Sequence, residues 1–139
     1  IAVDPQTSVV YVANQIGPSG AGSATISVLD PQSLAVSRLT VGGSPFGVAV
    51  HPTDGTLYVT SANAIAGQLF IVDPETAQVD KFAVGLSPFG VAVSPDGSTV
   101  VVANAGSDSV TLFDVATRKV RKTLAVGDGP FGVSVNLSG

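Results

Sequence analysis

Two motifs return along this chain on one fixed beat, and that limits its fold more than any other feature. Val48-Ala49-Val50-His51-Pro52 recurs as Val91-Ala92-Val93-Ser94-Pro95, 43 residues on. Ile1-Ala2-Val3-Asp4-Pro5 is an earlier copy, and Val133-Ser134-Val135-Asn136 is a truncated later one, 42 residues beyond Val91. Ser44-Pro45-Phe46-Gly47, Ser87-Pro88-Phe89-Gly90 and Gly129-Pro130-Phe131-Gly132 keep the same register. Separate motifs sharing a period of this length mark a repeat architecture, in which each unit buries its apolar face only against a neighbour.

Each copy contains four short runs rich in β-branched residues, the composition of strands. An A strand over 48–50 matches 91–93 and 1–3, and a B strand over 57–60 matches 9–13 and 100–103. A C strand over 69–73 matches 26–30 and 110–114, and a more polar D strand over 77–84 matches 35–41 and 119–126. Turn residues separate them: Asp54-Gly55 and Asp96-Gly97 suit the positive-φ positions of tight hairpins, and Asp30-Pro31 and Asp73-Pro74 open the second turn. No stretch has a 3.6-residue apolar period, so helix is not expected. Four strands in 40–45 residues is the arithmetic of a β-propeller blade, whereas a parallel β-helix repeats in about half that length. The expectation is all-β: three four-stranded antiparallel blades over 1–47, 48–90 and 91–132, then the first strand of a fourth over 133–139.

Composition agrees and excludes several functions. The chain is 45% hydrophobic and only 12% charged, which separates it from disordered sequences. A net charge of −4 opposes general nucleic-acid binding and a polybasic membrane contact. With no cysteine there is neither a disulfide framework nor a thiolate metal site. No run approaches the roughly 18 apolar residues of a membrane-spanning helix. The chain opens at Ile1 inside a strand pattern without an initiator Met, which points to a missing N-terminal segment.

Val10-Tyr11-Val12-Ala13-Asn14, Tyr58-Val59-Thr60-Ser61 and Val101-Val102-Ala103-Asn104, taken with the Pro-Phe-Gly-Val-Ala-Val entries and the Ser94-Pro95-Asp96-Gly97 turn, resemble the YVTN family of β-propeller repeats. The resemblance covers essentially the whole chain. It implies a place in a larger lactonase-like propeller group whose members include surface proteins, binding modules and a few enzymes. Two departures stand out: Val101 replaces the tyrosine of the other copies, and the first copy carries an inserted Gly/Ser-rich loop between Gln15 and Ala24.

Three blades cannot close a circle that normally takes 4–8, so the outer faces of the first and last would stay apolar and wet. Neither terminal copy is more polar than the middle one. The chain is therefore expected to be an excerpt of a longer propeller or a protomer that completes a ring by self-association, and the cuts within repeats favour the excerpt.

Propeller topology places the B–C and D–A connections on one face and the A–B and C–D turns on the other. Asn14, Ser61 and Asn104 align at the start of the B–C loops, with Gln15 and Asn63 beside them. With Phe46, Phe89 and Phe131 they are the candidate rim for a ligand. The competing and preferred reading is scaffold, because features shared by every blade usually hold turns and pack blades. The long loop of the first copy lacks the Gly-Lys-Ser/Thr ending of a phosphate loop and reads equally as a binding insertion or a plain surface loop. His51 aligns with Asp4, Ser94 and Asn136, where turn capping is the preferred role; a lone His with no cysteine makes a poor transition-metal site. Asp30, Asp73 and Asp114 fit Asx turns. Glu75 is the only glutamate, so a paired-glutamate hydrolase site is not available. Arg118, Lys119, Arg121 and Lys122 form a basic cluster that reads as a solvated edge strand. No catalytic residue, metal or cofactor is assigned.

Two functions stay open. One is a non-enzymatic scaffold, bacterial and secreted or at the cell surface, with a periplasmic setting also open, binding a protein or glycan through the loop face. The other is part of a lactonase-like hydrolase whose catalytic residues lie largely in blades beyond this chain. Fold alone does not separate them.

Overall fold

The computed structural model describes residues 1–15, 24–62, 66–136 and 138. Each repeat pairs its runs in chain order. The first sheet is β1 (Ala2–Val3), β2 (Val10–Asn14), β3 (Thr25–Leu29) and β4 (Val36–Thr40). The second is β5 (Pro45–Val50), β6 (Leu57–Ala62), β7 (Gly67–Val72) and β8 (Val79–Val84). The third is β9 (Pro88–Val93), β10 (Thr99–Asn104), β11 (Ser109–Asp114) and β12 (Lys119–Ala125). Every pairing is antiparallel, and among the described residues the one helical element is a three-residue 3-10 turn at Ala105–Ser107. The expected three-bladed all-β architecture is what forms.

The near-continuous apolar runs follow from burial on both faces of a blade. Side chains alternate along a strand. In β6, Leu57 and Val59 pack with Tyr11 and Ile26 of the first blade, while Tyr58 packs with Val100, Val102 and Phe113 of the third. In β7, Phe70 and Val72 serve the first seam and Leu69 the second. Fully burying a side chain of this kind stabilises by about 1.5–3 kcal/mol, so these seams hold the blades in a stack. The outer faces lack that cover: Val3 and Val36 on the first blade, and Leu124 and Val126 on the third, remain exposed. Their counterparts within the seams are Val50, Val79, Phe82 and Val84.

The structure moves two boundaries. The A strands begin at Pro45 and Pro88, so Phe46 and Phe89 lie within strands rather than in a preceding loop, and the second sheet starts three residues ahead of position 48. Register shifts between Pro45 and Val48, and opposite Val102 and Asn104, break the period-2 pattern and hide these starts in the sequence. A Cβ on Gly47, within the first shift, would run into the Phe89 carbonyl, so only glycine allows the two strands this approach. The other change is at the end. Residues 131–136, within and just before the strand expected over 133–139, join no ladder among the described residues.

The C–D turns repeat closely. The carboxylates of Asp30, Asp73 and Asp114 accept backbone N–H bonds from Gln32, Glu75 and Thr117 at 2.8, 2.8 and 2.7 Å. Each turn ends on a residue of positive φ: Leu34 at 59°, Ala77 at 59° and Arg118 at 54°. Arg118 therefore belongs to a turn, and only Lys119, Arg121 and Lys122 of the basic cluster lie on the exposed strand β12.

Candidate functional site

The B–C and D–A connections are bonded to each other, which sets them on one face. Ala62 N donates to Ser44 O at 3.1 Å, and Ala105 N and Gly106 N donate to Ser87 O and Leu86 O, each at 3.0 Å. Ser61 accepts the Ser44 N–H on its hydroxyl at 2.9 Å, and Ser107 accepts that of Leu86 at 3.1 Å.

Most of the polar candidates on this face are tied inward. Asn104 is fully buried, and its Nδ2 donates to Ser109 Oγ at 3.2 Å and Thr111 Oγ1 at 2.9 Å across the β10–β11 hairpin. Asn14 repeats the arrangement, donating to Thr25 Oγ1 at 3.2 Å and Ser27 Oγ at 2.7 Å. These amides bridge to side chains of the C strand rather than to backbone. Each Asn stands opposite a Ser or Thr, a pairing that appears only once the hairpin register is known. The Asn104 Oδ1 is buried without a partner among the described residues, a place for a bound water. Gln15 is exposed at the end of β2. Asn63, and residues 16–23 of the long first-copy loop, lie outside the described residues.

The aromatic candidates converge. Phe89 lies 4.3 Å from Phe46 and 4.6 Å from Phe131, centroid to centroid, and Phe46 and Phe131 are 6.0 Å apart. The inner strands of blades two and three and the segment that follows β12 thus place one phenyl ring each in a single cluster. Phe131, last in the row, is 61% exposed, but Phe46 and Phe89 also remain partly exposed.

The opposite face carries turns rich in carboxylates. Burial alone would raise Asp4, but bonds from the Thr7 hydroxyl and from the Gln6 and Thr7 amides outweigh it and hold the group below the usual range. Asp96 is held at about 2 by the Ser94 hydroxyl, the Ser98 amide and the Ser98 hydroxyl. The His51 Nε2 donates to Gly97 O of the third blade at 3.1 Å, and its Nδ1 lies 3.0 Å from Asp54 Oδ1. Gln6 likewise spans a seam, donating to Pro52 O and Thr53 O at 3.0 and 3.1 Å. Capping and bridging between blades are thus the geometry of this row.

A residue that sequence reasoning passed over joins the blades most directly. Thr60 Oγ1 accepts the Gly47 N–H at 2.8 Å and donates to Phe89 O at 2.7 Å, linking two A strands beneath the phenyl cluster. Alanine holds this place in the other copies, at Ala13 and Ala103, so the repeat gave no sign of it.

No protein-family model matches the chain, and no curated protein matches it. Solved structures do. The chain is similar to hydrazine synthase from Kuenenia stuttgartiensis, at 26% identity and a TM-score of 0.82 over 95% of this chain and 37% of that one. It is similar to a functionally unknown protein from Desulfotomaculum acetoxidans, at 16% identity and a TM-score of 0.80 over 99% of this chain and 45% of that one. AztD from Citrobacter koseri matches at 16% identity and a TM-score of 0.69 over 96% of this chain and 36% of that one. These are proteins of β-propeller type, and the chain spans less than half the length of each.

Proposed function

We propose that this chain, a three-bladed segment with the β-propeller fold, is a non-enzymatic scaffold of the YVTN-repeat kind that binds a protein or glycan through the face carrying the phenyl cluster. The observation that carries the reading is Phe89. It is packed on both sides, by Phe46 and by Phe131, and still keeps part of its surface open. A phenyl ring retained at the surface with both repeat neighbours in place supplies contact area at low conformational cost, as binding surfaces built on aromatic anchors do. The Asn104 amide, bonded to Thr111, stiffens the loop at the end of β10 on the same face. In this reading the apolar outer faces of blades one and three are covered by further blades of a longer chain or by second copies, and the protein works outside the bacterial cell or in its envelope.

The test is a screen of the protein against a glycan array and a panel of immobilised cell-surface proteins, repeated with Phe89→Ala. The expected result is a binder that is lost in the variant while the circular-dichroism spectrum is unchanged. Binding indifferent to Phe89→Ala rules the reading out, as does turnover of lactones by the protein itself.

A further inference from the structure

The C and D strands of each blade repeat one register on the face turned towards the next blade. Val28 stands opposite Ser37, Ile71 opposite Asp80 and Leu112 opposite Lys122, each beside the tyrosine position, which holds Tyr11, Tyr58 or Val101. Asp80 is met from across the second seam. Arg118, at the end of the third blade's C–D turn, places its guanidinium 2.7 Å from Asp80 Oδ2 and lies over the Phe82 ring at 5.5 Å. The first seam has Ser37 and Ala77 at these two positions, and neither is charged. Both seams are thus balanced in charge at this point.

The third such face has no blade against it. Val101, Val110 and Leu112 alternate with Val100, Val102 and Phe113, which pack on blade two, and so turn outward. Leu124 stands opposite Val110 and is 39% exposed, and Val126 follows at 43%. At the position of Asp80 this face carries Lys122. The register shift between Leu112 and Phe113 adds Arg121 on the same side, where it lines a cleft of about 490 Å³ with Val101, Leu112 and Val135. The Arg121 charge helps, after the Thr117 bonds, to lower the Asp114 carboxyl. Neither cation has a side-chain hydrogen bond or ion pair among the described residues. Valine where the other copies have tyrosine leaves room beside them for a side chain from outside.

A second copy of the chain does not supply the missing charge. The face it would bring is that of its first blade, where Val10, Val12 and Val36 turn outward with Arg38, which stands opposite Ser27. Leu34 takes the position of Arg118 there. Asp30 has both oxygens engaged by Gln32 and Ser33, and Asp4 has both engaged by Gln6 and Thr7. Stacking copies head to tail therefore turns Arg38 towards Arg121 and Lys122, and like charges brought together reject a partner.

We propose that the outer face of blade three docks a β-sheet of different sequence, stacked as blade three is on blade two, that presents carboxylates to Lys122 and Arg121. Apolar contact with Val101, Leu112 and Leu124 holds such a sheet, and the charges select it over a second copy. Of the reading above this takes only that the face is covered, and binding at the phenyl cluster has no part in it.

The experiment titrates the 15N-labelled protein with unlabelled chain, followed at the amides of Leu112, Lys122 and Leu124. One probe is the chain itself. The other is the Leu34→Glu, Arg38→Glu chain, whose first blade stands in for the acid-bearing sheet. Saturable shifts are expected with the acidic probe at a Kd of about 1 mM or tighter, and about tenfold weaker binding with the chain itself, the worth of two ion pairs near the surface. Arg121→Gln with Lys122→Gln in the labelled protein should remove that preference, as should about 0.5 M NaCl. The proposal is overturned if the unaltered chain binds as tightly as the acidic probe, which makes a second copy the occupant. It is overturned equally if the acidic probe shifts none of these amides, or if the preference survives in the Arg121→Gln, Lys122→Gln protein. Should the Leu34→Glu, Arg38→Glu chain fail to fold, Arg38→Glu alone replaces it with an expected preference of about threefold, and no preference then sinks the proposal. The amides followed lie on the outer face, so failure here leaves the Phe89→Ala screen to decide the phenyl-face reading by itself.

Discussion

Thr60→Val replaces one hydroxyl with a methyl group of nearly the same size, in a side chain that is fully buried. Packing is little disturbed, so the consequence falls on the two groups that the hydroxyl serves. The Gly47 N–H at 2.8 Å and the Phe89 carbonyl at 2.7 Å both lie where the ladder shifts register. A buried polar group left without its partner costs about 1–3 kcal/mol, so the substitution should cost roughly 2–5 kcal/mol. For a chain of this length about 3–5 °C of midpoint is lost per kcal/mol, which gives a fall of roughly 10–15 °C for a cost near 3 kcal/mol. Thermal unfolding followed by circular dichroism and calorimetry measures it. Thr60→Ser is the control, since it keeps the hydroxyl and should lose only about 1 kcal/mol for the missing methyl. If Thr60→Val stays within about 0.5 kcal/mol of the parent, or Thr60→Ser is damaged equally, the bridge between the A strands is not what holds this seam.

Acid should weaken the fold in a defined window. Asp30, Asp73 and Asp114 are held below 3.8 and Asp96 at about 2, so their stabilisation is complete above the unfolded value near 4 and is lost as pH falls through the folded values. Urea midpoints measured from pH 5 to pH 2 should fall across that range, less steeply in Asp96→Asn; a flat profile would refute the turn hydrogen bonds as the cause. At the alkaline end, burial and then the Asp54 charge push Tyr58 up to about 12, and burial and then Asp4 raise Tyr11. The unfolded chain ionises first, so stability should be lost as pH rises from about 10 towards 12, and absorbance at 295 nm should show no phenolate near pH 10 in the folded protein. Ordinary titration of both phenols would refute their burial. Gly97→Ala puts a Cβ at a φ of +73° and into the His51 imidazole, for an expected loss of about 2 kcal/mol in denaturant unfolding. His51→Ala should relieve part of it; strictly additive losses would show that the ring and the glycine are not in contact.

The blade order was legible because burial on both faces makes each repeat obey the same constraints at the same positions. Leu57, Tyr58 and Val59 must all be apolar, and the period carries that pattern forward to Val100, Val101 and Val102. The starts of the A strands were less legible, since a register shift lets Pro45-Phe46-Gly47 join the sheet without alternation. On the loop face, Asn14 and Asn104 were visible as repeated residues, but their partners Ser27 and Thr111 are set by hairpin register, which a linear reading does not contain. Thr60 was hidden for the opposite reason. It depends on what one copy has and the others lack, Thr against Ala, and a search for likeness between copies averages such a difference away.

The two seams are joined by different means, and so they should yield differently. The first has the larger apolar cluster, with Gln6 as its side-chain tether; the second adds the Thr60, His51 and Arg118 bonds to a smaller one. Apolar contact resists separation but tolerates sliding, whereas directional bonds fix an angle. Blades two and three should therefore move as one rigid wedge, with blade one able to tilt against it like a page on a greased spine. Chilling, which weakens apolar contact, should loosen that page before it disturbs the wedge.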